Sequence, residues 1–101
     1  MDRELDDSTA ITKDWQRAVQ RNYRCTVAHR ATVHVRETSE GRVVWEGPVG
    51  VFELRDHPSA SLAYAVGAPP LYTFLHAGLV DSPGAAARAM VAHVFRERER
   101  A

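Results

Sequence analysis

The apolar positions of the chain change period several times, and each change predicts an element. Over residues 8–22, Ile11, Trp15, Ala18 and Val19 recur at i, i+4, i+7 and i+8. That spacing is one stripe of a helix, with Lys13, Asp14, Arg17 and Arg21 elsewhere around it. Ser8, Thr9 or Thr12 can cap its start, and Asn22 can close it in a left-handed conformation. From Tyr23 the period becomes two. Tyr23, Cys25, Val27, His29, Ala31, Val33 and Val35 alternate with a set that includes Arg24, Arg30, His34 and Arg36. This predicts a long strand with one face toward the core.

A hairpin follows from the loop at 39–41. A two-residue loop at Glu40-Gly41 would set Val35 against Glu46 and mix the faces. A three-residue loop, Ser39-Glu40-Gly41, pairs Thr38 with Arg42, Val35 with Trp45 and Ala31 with Val49, and puts Gly41 at the position that needs a left-handed backbone. The three-residue loop is therefore expected. Gly47-Pro48 interrupts the second strand, because proline cannot donate to a central ladder, so a bulge or an edge is expected there. Beyond it the apolar positions move from Val49 and Val51 to Phe52 and Leu54, which suggests a local change of face.

Asp56-His57-Pro58 ends that strand and reads as the start of a short helix carrying Leu62, Ala65 and Val66 on one side. Gly67 stops it and Pro69-Pro70 prevents a restart. Leu71 to Val80 is apolar on both faces, as in a buried third strand. Asp81-Ser82-Pro83 opens a last, alanine-rich helix over 85–99, with Ala86, Ala87, Met90, Val91 and Val94 toward the sheet. The order α-β-β-α(short)-β-α defines an α+β fold: an antiparallel sheet of about three strands with helices packed mainly on one face. One domain spans 1–101, with 1–7 expected as a flexible N-terminus and 97–101 as a fraying C-terminus. The order partly resembles a double-stranded-RNA-binding domain, in topology alone.

Trp45, Gly47, Val49, Val51, Phe52 and Leu54, then His57-Pro58, Ala60 and Ala63-Tyr64-Ala65, form the pattern W-x-G-x-V-x-V-F-x-L-x-x-H-P-x-A…A-Y-A. It resembles a group of small uncharacterised bacterial single-domain proteins. The resemblance covers residues 45–65 well and 15–95 loosely; Val66 stands where the group often has tryptophan. It implies a bacterial, single-domain protein and carries no catalytic residues.

Composition adds limits. With 101 residues, 45% apolar and 26% charged, the chain has ordinary globular values for one domain. Thirteen basic residues balance thirteen acidic ones, so no bulk charge draws it to nucleic acid or an acidic membrane. The acidic start, Met-Asp-Arg-Glu-Leu-Asp-Asp, does not read as a secretory signal, and no apolar run approaches the roughly 20 residues that cross a bilayer, so a cytoplasmic location off the membrane is expected. A single cysteine, Cys25, excludes an intrachain disulfide, and its place on the core face argues for an inert thiol.

Candidate chemistry is sparse. His57 and Tyr64 could line a small pocket with Trp45 or Glu53; equally, His57 could cap a helix while Tyr64 packs with its hydroxyl at the surface. His29 and Glu53 fall diagonal across the expected hairpin, where a general base or a structural pair could form. None of the five histidines has a partner at helical metal-binding spacing, and Gly47-x-x-Gly50 lacks the helix a phosphate loop needs, so neither metal nor cofactor is expected. The other hairpin face is more informative. It carries Arg24, Arg30, His34 and Arg36 from the first strand and Val44, Glu46, Phe52 and Leu54 from the second. Arginine mixed with aromatic and aliphatic side chains suits an interface with another protein chain or a second copy of this one. The alternative is a nucleic-acid platform on which Phe52 stacks. A small-molecule protein or enzyme with a pocket at His57 and Tyr64 is the third reading.

Overall fold

Trp15, Ala18 and Val19 are buried along one stripe of helix α1 (Asp2–Tyr23), with Ile11 partly buried on the same side. The computed structural model describes residues 2–67 and 70–100, with the side chains of 10–67 and 70–96. The expectations for Met1, Pro69 and Ala101, and for side chains at either chain end, lie outside the described residues. The left-handed residue that closes α1 is Arg24 (φ 52°), not Asn22; its N–H donates to the Gln20 carbonyl at 2.8 Å. Asn22 instead donates from Nδ2 to Thr73 Oγ1 at 2.8 Å.

Four strands follow: β1 (Thr26–Ser39), β2 (Arg42–Arg55), β3 (Leu62–Val66) and β4 (Tyr72–Leu75). They pair in chain order as one antiparallel sheet. Helix α2 (Pro83–Arg100) ends the chain order. Its start is as the sequence predicts: Pro83 is the first residue, and Ser82 Oγ accepts from the Ala85 N–H at 3.1 Å.

The α+β antiparallel class holds, with two differences. The segment expected as a short helix is strand β3. Ala63 and Ala65 face α1, while Tyr64 and Val66 face α2, so its true period is two. Five residues with apolar neighbours at i+3 and i+4 satisfy either reading, and pairing with Val49–Glu53 decides for the strand. Second, the helices divide between the faces. Trp15 and Val19 pack with Val27, Phe52, Leu54, Ala63 and Ala65; Ala86, Ala87 and Met90 pack with Val49, Val51, Tyr64 and Val66. What read as a change of face along β2 is one strand buried on both sides.

The hairpin forms with its tip one residue tighter than expected. Glu40 (φ 52°) and Gly41 (φ 77°) make a two-residue turn with the paired positive φ values of type I′, and Ser39 faces Arg42. Val44 is then an extra residue on β2 and Arg30 an extra residue on β1. These bulges restore the matching of faces that a two-residue loop alone would destroy. Val35 opposes Gly47 and Ala31 opposes Val51, a shift of two from the expected pairs. An even shift preserves the faces, so Val35 and Trp45 both pack on the α2 side.

Candidate functional site

β3 pairs with β2 over Val49–Glu53 and no further, so the hairpin beyond Pro48 projects past the rest of the sheet as a two-stranded ribbon. Pro48 sits where β2 has lost its β3 neighbour, which is where a missing N–H costs least. Such a ribbon is marginal alone. α2 braces it: Val35 and Trp45 pack against that helix's cluster, and Arg88 Nε donates to Glu37 Oε2 at 3.2 Å. Between ribbon and helix runs a shallow apolar groove lined by Val44, Trp45, Met90, Val91, Val94 and Phe95.

The opposite side of the ribbon is polar and open. Glu46 Oε2 meets His34 Nε2 at 2.7 Å and Arg36 Nη2 at 3.3 Å. These hydrogen bonds, His34 first and Arg36 second, hold the Glu46 carboxyl below its ordinary range. His34 and Arg36 are thus the part of the predicted arginine-bearing face that forms one surface.

The remainder of that face disperses. Arg24 caps α1. Arg30 occupies the β1 bulge and donates to Glu53 Oε2 at 2.9 Å. Val44 lines the groove on the α2 side. Phe52 and Leu54 are corrected outright: they are 0% and 6% exposed beneath α1. A stacking role for Phe52 falls with its burial.

The expected pocket does not assemble. Trp45 lies in the α2 groove, and Glu53 is held by Arg30 and by Arg55, whose Nε is 3.6 Å from Oε1. His57 shapes the turn after β2, its Nδ1 accepting N–H groups from Ser59 (3.2 Å) and Ala60 (3.1 Å), and its ring meets Tyr23 edge-on. Tyr64 faces the other layer, with its hydroxyl 2.5 Å from His76 Nδ1. His29 and Glu53 do not pair either. The Arg30 bulge turns His29 to the α1 side, against the Phe52 ring, with Nε2 at 2.8 Å from Thr32 Oγ1. Among the described residues no three metal-ligating groups converge, and no helix is long and apolar enough to cross a membrane.

The Tyr64–His76 pair was missed by sequence reasoning. Its signal was there: Tyr72, Phe74 and His76 alternate along one line, which places the histidine on the α2 face. Burial, and next the negative charge of Asp81, push the Tyr64 phenol above its ordinary value. The folded state therefore keeps Tyr64 neutral where the unfolded chain ionises. Its stabilisation is complete below about pH 10, the unfolded value, and is lost as the pH rises above it. Melting temperatures measured from about pH 9 to 11.5 should fall more steeply for the native chain than for Tyr64→Phe, which cannot ionise. Parallel slopes would remove Tyr64 as the cause.

The thiol of Cys25 is pushed up by burial and then by Asp56, which disfavours a reactive thiolate. No protein-family model, curated protein or solved structure matches the chain.

Proposed function

We propose that this chain is an interaction domain that works by binding another protein chain along the projecting ribbon, and that a second copy is one such partner. The observation that carries the reading is the position of β1. It is a fourteen-residue strand at the edge of the sheet, and among the described residues no strand pairs with its outer side. An edge of that length presents a row of unpaired N–H and C=O groups, the template used wherever a partner adds a strand. Short edges and lysine or proline gatekeepers are the usual protection. β1 carries neither lysine nor proline; its defence is the Arg30 bulge and the polar side chains of His34 and Arg36.

Size and composition fit binding by surface rather than by enclosure. The grooves are shallow, and the perturbed carboxyl, Glu46, lies on the open ribbon and not in a cleft. Sedimentation equilibrium from about 1 to 300 µM tests self-association, since a small interface should dissociate in the micromolar range. A rising average mass is expected. A constant monomer mass over that range would remove the second copy as a partner.

A further inference from the structure

The straight part of β1 lies between the two bulges, from Ala31 to Glu37. It is the portion of the edge that can accept a regular ladder, because a bulge twists and ends pairing. Resting on the reading above, we propose that two copies join through this run, antiparallel about a two-fold axis at His34, so that the two sheets become one.

The register follows from charge and face. Two strands related by a two-fold axis normal to the sheet place each residue opposite one on the same face. With His34 opposite its own copy, Val33 faces the partner's Val35, Thr32 the partner's Arg36, and Ala31 the partner's Glu37. Within Ala31–Glu37 that arrangement sets no arginine opposite an arginine and no carboxylate opposite a carboxylate, and His34 meets its own copy. Moving the axis to Val33 sets Arg36 opposite the partner's Arg30. Like charges placed directly opposite are destabilising. Moving the axis to Val35 sets Glu37 opposite the partner's Val33, so that the exposed valine meets a carboxylate instead of an apolar side chain.

The central register also answers two local features. Val33 is one of the few large apolar side chains left exposed, at 38%, and the partner's Val35 would cover it. Glu37, which would meet only the partner's alanine, already holds Arg88 of its own chain. Glu46 likewise lies on Arg36 and His34, so the Arg36 charge is partly met before association.

Two sets of variants test the pairing. Thr32 is exposed, so both Thr32→Arg and Thr32→Glu should fold, which a thermal melt checks. Against the partner's Arg36, the arginine should raise the dimer Kd about fivefold and the glutamate should lower it by a similar factor, since the contact occurs twice per dimer. Any simple folding defect would weaken both. In a Cys25→Ser background, His34→Cys should form a disulfide-linked dimer on mild oxidation, because directly opposed Cα atoms lie about 4.5–5.5 Å apart, within disulfide reach. Arg36→Cys alone should not link, while a mixture of Thr32→Cys and Arg36→Cys should. A dimer that ignores charge at 32 and fails to link at 34 would overturn this register and leave the binding reading standing. A chain that stays monomeric would overturn the pairing itself and remove the second copy as a partner.

Discussion

Phe52→Ala should lower the free energy of unfolding by about 3–5 kcal/mol, measured by denaturant titration at neutral pH. Phe52 is fully buried, packed between the α1 stripe and the His29 ring, whose centroid lies 5.4 Å away. Removing the ring opens a cavity that the neighbours cannot fill: Trp15 is pinned by its Nε1–H donating to the Gly67 carbonyl at 2.9 Å. A domain of this size has about 5–15 kcal/mol of stability in total, so the variant should stand close to its unfolding threshold. On an open sheet face the same change would cost within about 0.5 kcal/mol. A result that small would return Phe52 to the surface and with it the arginine-and-aromatic face the sequence suggests.

Gly50→Ala should destabilise by about 2–3 kcal/mol, although strand propensity alone points the other way. Alanine is favoured over glycine inside a strand by roughly 0.5–1 kcal/mol. Here a Cβ at position 50 would stand 2.5 Å from Trp15 Cε3 and 2.8 Å from Phe52 Cε1. Overpacking of that kind costs typically about 1–3 kcal/mol, and rings held on all sides place this site at the upper end. The two contributions can be separated. In a Trp15→Ala background the clash with the indole is gone and the Phe52 ring has room to shift, so Gly50→Ala should cost clearly less than in the native chain. A double-mutant cycle with no coupling between positions 15 and 50 would contradict the packing described.

Gly50 illustrates how an element can be legible while its surroundings are not. The α1 stripe, the Ser82-Pro83 helix start and the presence of a turn at Gly41, though not its two-residue length, could be read directly, because each depends on residues within a few positions of one another. β2 could be read as a strand, but Val49, Val51, Phe52 and Leu54 gave two conflicting faces. Both are core faces, and the second becomes core only because α1 returns to cover it. For the same reason Phe52 and Leu54 looked available for binding. β3 failed differently: Ala63-Tyr64-Ala65 suits a helix locally, and its ladder partners lie on β2 and β4. His34 and Arg36 were legible as a solvated pair. Their partner Glu46 falls opposite Arg36 only in a register that depends on the two-residue turn and on the bulge at Val44, a bulge for which the chain carries no glycine or proline marker.

By itself, then, the chain determined the apolar stripe of α1, the Ser82-Pro83 start of α2, a reversal of the chain at Gly41, and the shared side of Val35 and Trp45, since local backbone preference and the two-residue period of a strand suffice for these. Tertiary structure decided which sheet face each helix covers, which histidine meets which tyrosine, and that β1 is left at the edge. Those depend on contacts between residues tens of positions apart, such as Trp15 with Gly67 and Tyr23 with Thr73. Their energy is gained only once loops have closed and the whole sheet is in place.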